Sequence, residues 1–124
     1  MLQTDGNVFL VVEPDPTVAR DLEESLRALD PGATVRLAVA GAQAREALGQ
    51  LDRLTAAFLR LPHEELRSAE IPAAVEARGG RVVVLDVRPA GTVEGRGPGW
   101  VYTGRPFGEG AVSRALGQLG LLGP

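Results

Sequence analysis

Short apolar runs alternating with helix-spaced segments constrain this chain more than any other feature of its sequence. Val8–Val12 is an unbroken apolar stretch with three valines and a phenylalanine, ended by Glu13-Pro14. Such a run suits a strand buried on both faces, as in a parallel sheet covered by helices. Asp15 then reads as an N-cap, with Pro16 at the first helical position. Val18, Leu22, Leu26 and Leu29 follow at helical spacing, and Pro31-Gly32 closes the helix. Thr34–Ala38 is a second strand, Thr55–Leu59 a third, Val82–Leu85 a fourth and Trp100–Thr103 a fifth. Helices are expected from Ala42 to about Leu51, from Ile71 to about Arg78, and from about Glu109 to Leu119. Strands that alternate with helices imply right-handed βαβ units and a parallel sheet. Five of them point to a flavodoxin-like, three-layer α/β/α fold with strand order 2-1-3-4-5.

One connection departs from this rhythm. Residues 88–99, between the fourth and fifth strands, hold four glycines and two prolines in twelve residues. Relative to Ala, Gly costs roughly 1 kcal/mol and Pro roughly 3 kcal/mol inside a helix. The fourth helix of the regular pattern is therefore expected to be lost or shortened.

The 124 residues are enough for one domain spanning 1–124, large enough to bury a core without staples. The absence of cysteine excludes disulfides and thiolate metal sites. A net charge of −3 gives no electrostatic reason to expect nucleic acid or an anionic membrane as partner. Met1–Asn7 lacks the basic and apolar regions of a signal peptide, and no apolar run is long enough to span a bilayer, so a cytoplasmic location is expected. All 13 basic residues are Arg, which fits a GC-rich coding bias. An Arg where a Lys is expected therefore need not be a functional choice.

The carboxyl ends of the strands carry a more specific pattern. The third strand runs into Phe58-Leu-Arg-Leu-Pro62, the first ends Val12-Glu13-Pro14-Asp15, and the fourth ends Leu85-Asp86-Val87. The fifth is aromatic, with Trp100 and Tyr102, and is followed by Arg105-Pro106-Phe107. With these residues in these places, the chain resembles a bacterial response-regulator receiver domain (CheY-like) from end to end. The resemblance implies a phosphoacceptor Asp four residues before Pro62, where this chain has Phe58. It implies an acidic, Mg²⁺-binding pair after the first strand, where Glu13 keeps one place and Pro14 takes the other. A phosphate-sensing Thr or Ser corresponds to Asp86, and the Lys of a Lys-Pro-Phe signature corresponds to Arg105. The switch aromatic corresponds to Tyr102, and the Arg105–Pro106 peptide is expected to be cis by the same resemblance.

An aromatic ring cannot form an acyl phosphate, and no Asp or Glu lies between Arg53 and Pro62 to take its place. Glu13 alone is a poor Mg²⁺ site, since that ion wants several oxygens in an octahedron. The chain thus looks like a degenerate pseudo-receiver, its phosphoacceptor pocket made of Glu13, Pro14, Phe58, Asp86 and Arg105. Asp86 and Arg105 have two readings. Asp86 either stands in for the phosphoryl charge, with Arg105 fixing the switch, or the two form an ordinary solvated ion pair worth about 0–1 kcal/mol. Tyr102 is expected to hold a single position. Asp15 is read as a helix cap, Trp100 as either a contact residue or packing under the 88–99 segment, and His63 as a solvated loop residue.

No Walker loop is available without a Lys, and a single His suggests no nucleophile–base pair, so no enzymatic activity, cofactor or metal is expected. The leading function is a phosphorylation-independent, receiver-like signalling domain in a two-component-type pathway. It would act as a protein-interaction module on a histidine kinase, a regulator or a second copy of itself as a homodimer. The alternative is a sensor of small anionic molecules at the carboxyl ends of the strands, with Arg88, Arg96 and Arg105 drawing in the ligand.

Overall fold

The computed structural model describes residues 6–89, 100–105 and 109–121. Five parallel strands form one sheet in the order β2-β1-β3-β4-β5. They are β1 (Val8–Val12), β2 (Thr34–Ala38), β3 (Ala56–Leu59), β4 (Arg81–Pro89) and β5 (Val101–Arg105). The helices are α1 (Pro16–Leu29), α2 (Gly41–Gly49), α3 (His63–Ser68), α4 (Glu70–Ala77) and α5 (Glu109–Gln118). This is the flavodoxin-like order expected from the alternating pattern. No helix among the described residues is long and apolar enough to cross a membrane.

Every residue of β1 and β3 is buried, as their unbroken apolar runs require of strands covered on both sides. Strand alternation sends neighbouring side chains to opposite faces. Leu10, Val12, Ala57, Leu59, Val82 and Val84 join one apolar cluster with Leu48 of α2 and Val75 of α4. Phe9, Val11, Ala56, Phe58, Val83 and Leu85 join the other, with Leu22 and Leu26 of α1 and Val112 and Leu116 of α5. β2 is an edge strand and only partly buried, and Leu37 and Val39 remain exposed there.

α1 begins as its sequence dictates. Asp15 Oδ1 accepts hydrogen bonds from Thr17 N at 2.9 Å and Val18 N at 3.5 Å, and Pro16 follows at the first position. α2 starts without a side-chain cap; the carboxylate of Glu65, from α3, packs against Gly41, where a Cβ would collide with Glu65 Oε1.

Two expectations are corrected. His63 is exposed, as expected, but it opens α3 and does not lie in a loop. The β3–β4 crossover therefore holds two short helices. Ala69 joins them at φ 62° and ψ 14°, capping the end of α3 and the start of α4. Second, β4 runs on to Pro89, four residues beyond Leu85, with a register irregularity against β5 between these two residues. Arg88 and Pro89 are thus strand, and the rest of the glycine-rich connection, with the expected loss of the fourth helix, lies outside the described residues.

Candidate functional site

In open parallel sheets, ligands and reactive groups gather beyond the carboxyl ends of the strands. Glu13 sits there, immediately after β1, and is fully buried. Its backbone N–H donates to Ala38 O at 2.9 Å, which extends the β1–β2 ladder by one step. Its Oε2 accepts from Asp15 N at 2.9 Å and from Arg60 Nη1 at 3.0 Å. Its Oε1 is buried and has no donor among the described residues. Pro14 brings no side-chain oxygen, and Asp15 is committed to capping α1.

Phe58 faces the α1/α5 side of the sheet and is fully buried. Its ring meets that of Phe9 edge-on, with centroids 6.4 Å apart and planes at 62°. This geometry adds about 0.5–1.5 kcal/mol to the burial itself. Phe58 aligns with Val11 on β1 and with Val83 on β4, so it stands in the middle of the sheet. An apolar ring is stable in this place, whereas a lone carboxylate would be costly.

Arg60 is the functional residue that sequence reasoning missed. It follows β3 by one residue, and its N–H donates to Val12 O at 2.8 Å. Its side chain is 28% exposed while that of Glu13 is 0% exposed, so the guanidinium covers the carboxylate from the solvent side. A signal for it was present. A Glu at the end of a fully buried strand demands a donor, and Arg60 lies two residues past Phe58, just beyond the end of the adjacent strand.

Tyr102 is half-buried and packs against the α2/α4 side of the core, as does Trp100. Trp100 Nε1 donates to Glu76 Oε2 on α4 at 3.2 Å. Asp86 and Arg105 lie on β4 and β5, but their side chains fall outside the described residues, as does Pro106 with its expected cis peptide. The described residues do not fit the Mg²⁺ that the receiver resemblance implies. Glu13 Oε2 is engaged by Arg60, Pro14 and Phe58 offer no oxygen, and no three His, Cys, Asp or Glu side chains gather among them.

No family model matches the chain, and no curated protein matches it significantly. Solved structures do. SdrG from Sphingomonas melonis Fr1, determined in solution, is 25% identical with a TM-score of 0.70, over 94% of this chain and 98% of that one. A response regulator receiver domain protein from Bacillus halodurans C-125 is 19% identical with a TM-score of 0.64, over 96% of this chain and 98% of that one. In strand order, connectivity and extent, the chain has the fold of a response-regulator receiver domain.

Proposed function

We propose that this chain is a receiver-like signalling domain that works without phosphoryl transfer, by binding a protein partner. The observation that carries the reading is Phe58. Its ring is fully buried against Phe9, at the position where the resemblance would put the phosphoacceptor. A phosphoacceptor must be a carboxylate that an incoming donor can reach, and this side chain is neither. The Glu13–Arg60 pair supports the same reading, because an arginine head group is bonded to the acidic residue that keeps its place after the first strand.

What such a domain retains is its surface. Its partner would be a histidine kinase, another regulator or a second copy of the chain, recognised in a single conformation. Acetyl phosphate with MgCl₂, followed by intact-mass measurement, tests the reading directly. The expected result is an unchanged mass, together with partner affinity that acetyl phosphate does not alter. A stable phosphorylated species would overturn it.

A further inference from the structure

Glu13 and Arg60 are 47 residues apart in sequence and meet through a carboxylate that is entirely buried. Taking that carboxylate out of water is expensive unless a countercharge and hydrogen bonds accompany it. Both are supplied, but by two different parts of the chain. The Asp15 N–H, at the start of α1, and the Arg60 guanidinium, just past β3, converge on the same oxygen.

We propose that the Arg60 guanidinium is a built-in countercation. It occupies the ionic role that a divalent metal would fill beside Glu13, clasps the β1–α1 turn to the end of β3, and makes this end of the sheet independent of added metal. Three features of the geometry carry the inference. The Arg60 backbone is anchored to β1 through the carbonyl of Val12, the residue just before Glu13, so the guanidinium starts from a fixed point beside its partner. Strand alternation puts Arg60 on the same side of the sheet as Phe58, whose buried ring belongs to the apolar α1/α5 cluster of that face. Oε2 joins the clasp to the residue that caps α1, so the pair positions a helix start as well as neutralising a charge.

Arg60 is thus a positioning residue, and its role in signalling rests on the phosphorylation-independent reading above. The clasp itself is tested by stability and amide exchange, so it can fail while the acetyl phosphate result stands, and the reverse. The test uses the full chain with Arg60→Ala, Arg60→Lys, Glu13→Gln and the Arg60→Ala/Glu13→Gln double variant. Arg60→Ala is expected to lower the thermal midpoint by roughly 5–10 °C and to speed exchange of the Asp15 amide. Pairing it with Glu13→Gln is expected to recover at least half of that loss, because a neutral amide needs no countercharge. Arg60→Lys should recover part of it. Millimolar MgCl₂ should leave the wild-type midpoint unchanged. Additive losses in the double variant, or a MgCl₂-induced rise in the wild-type midpoint, would overturn the proposal. If Arg60→Ala does not fold, a folded double variant supports it and an unfolded one counts against it.

Discussion

The two ends of the sheet are built to different standards. At the amino end, polar side chains close on one another. Asn7 Nδ2 donates to Asp30 Oδ2 at 2.7 Å, Thr55 Oγ1 donates to Asn7 Oδ1 at 3.0 Å, and Val8 N donates to Thr55 Oγ1 at 3.1 Å. Arg78 spreads its donors over the carbonyls of Leu48, Leu51 and Ala74, tying the ends of α2 and α4 together. At the carboxyl end lie both buried side-chain oxygens that lack a partner among the described residues, Glu13 Oε1 and Glu65 Oε1. Ala69, the one non-glycine residue with positive φ among the described residues, lies in the same crossover as Glu65. Unpaired buried atoms and backbone strain concentrate at functional ends of folds, where the surrounding structure must hold them in place. The difference teaches that unpaired oxygens and a left-handed backbone gather at the end of the sheet where open α/β folds place their ligands, and that the opposite end is closed by paired side chains.

Substitutions can break or sharpen that contrast. The largest effect is expected at Phe58. Phe58→Ala should cost about 3–5 kcal/mol by leaving a cavity beside Phe9, and Phe58→Asp at least as much by burying a charge. Urea denaturation reads both, and a Phe58→Asp variant of near wild-type stability would show that the carboxyl end is open, not packed. Next is Gly80, at the well-closed amino end. A Cβ there would sit 2.8 Å from Val75 Cγ1 and 3.0 Å from Leu54 Cβ. Gly80→Ala should therefore cost about 1–3 kcal/mol from overpacking, and a neutral result would mean that this end yields easily. Asn7→Ala should cost about 1–2 kcal/mol by stranding Asp30 and Thr55, with faster amide exchange at Val8 as its local signature. The smallest effect has the opposite sign. Ala69→Gly should raise stability by roughly 0.5–1 kcal/mol, since glycine takes the left-handed region without the Cβ penalty. A loss there would mean that Ala69 is not strained.

Most of the architecture was legible in the sequence because it rests on local signals. Buried strands on both faces give unbroken apolar runs, and Asp15-Pro16 marks the start of α1 unambiguously. α3 escaped for a physical reason. Its six residues, His-Glu-Glu-Leu-Arg-Ser, bury no side chain fully and end at an alanine in the left-handed region, where no glycine or proline announces the stop. β4 ran past its expected end because Arg88 and Pro89 read as the start of a loop, although an edge-proximal strand end tolerates both. In the site, Phe58 and Glu13 were locatable from strand ends and the spacing to Pro62. Arg60 was missed although the buried Glu13 calls for a donor, because the contact that supplies it is made across two strands and not between neighbours in the chain.

The hydrogen bond between Trp100 and Glu76 has a practical consequence. Trp100 is the only tryptophan in the chain, half-buried, and anchored through its indole N–H to α4 just before β5 begins. Its emission is therefore a native optical probe of the α4–β5 face, free of background from any other indole. A partner that covers this face will change the polarity around the ring and shift the emission maximum, whereas one that docks on the β2 edge will leave the spectrum as it is. A label-free fluorescence titration can thus tell which face of the molecule a partner uses before any complex is solved.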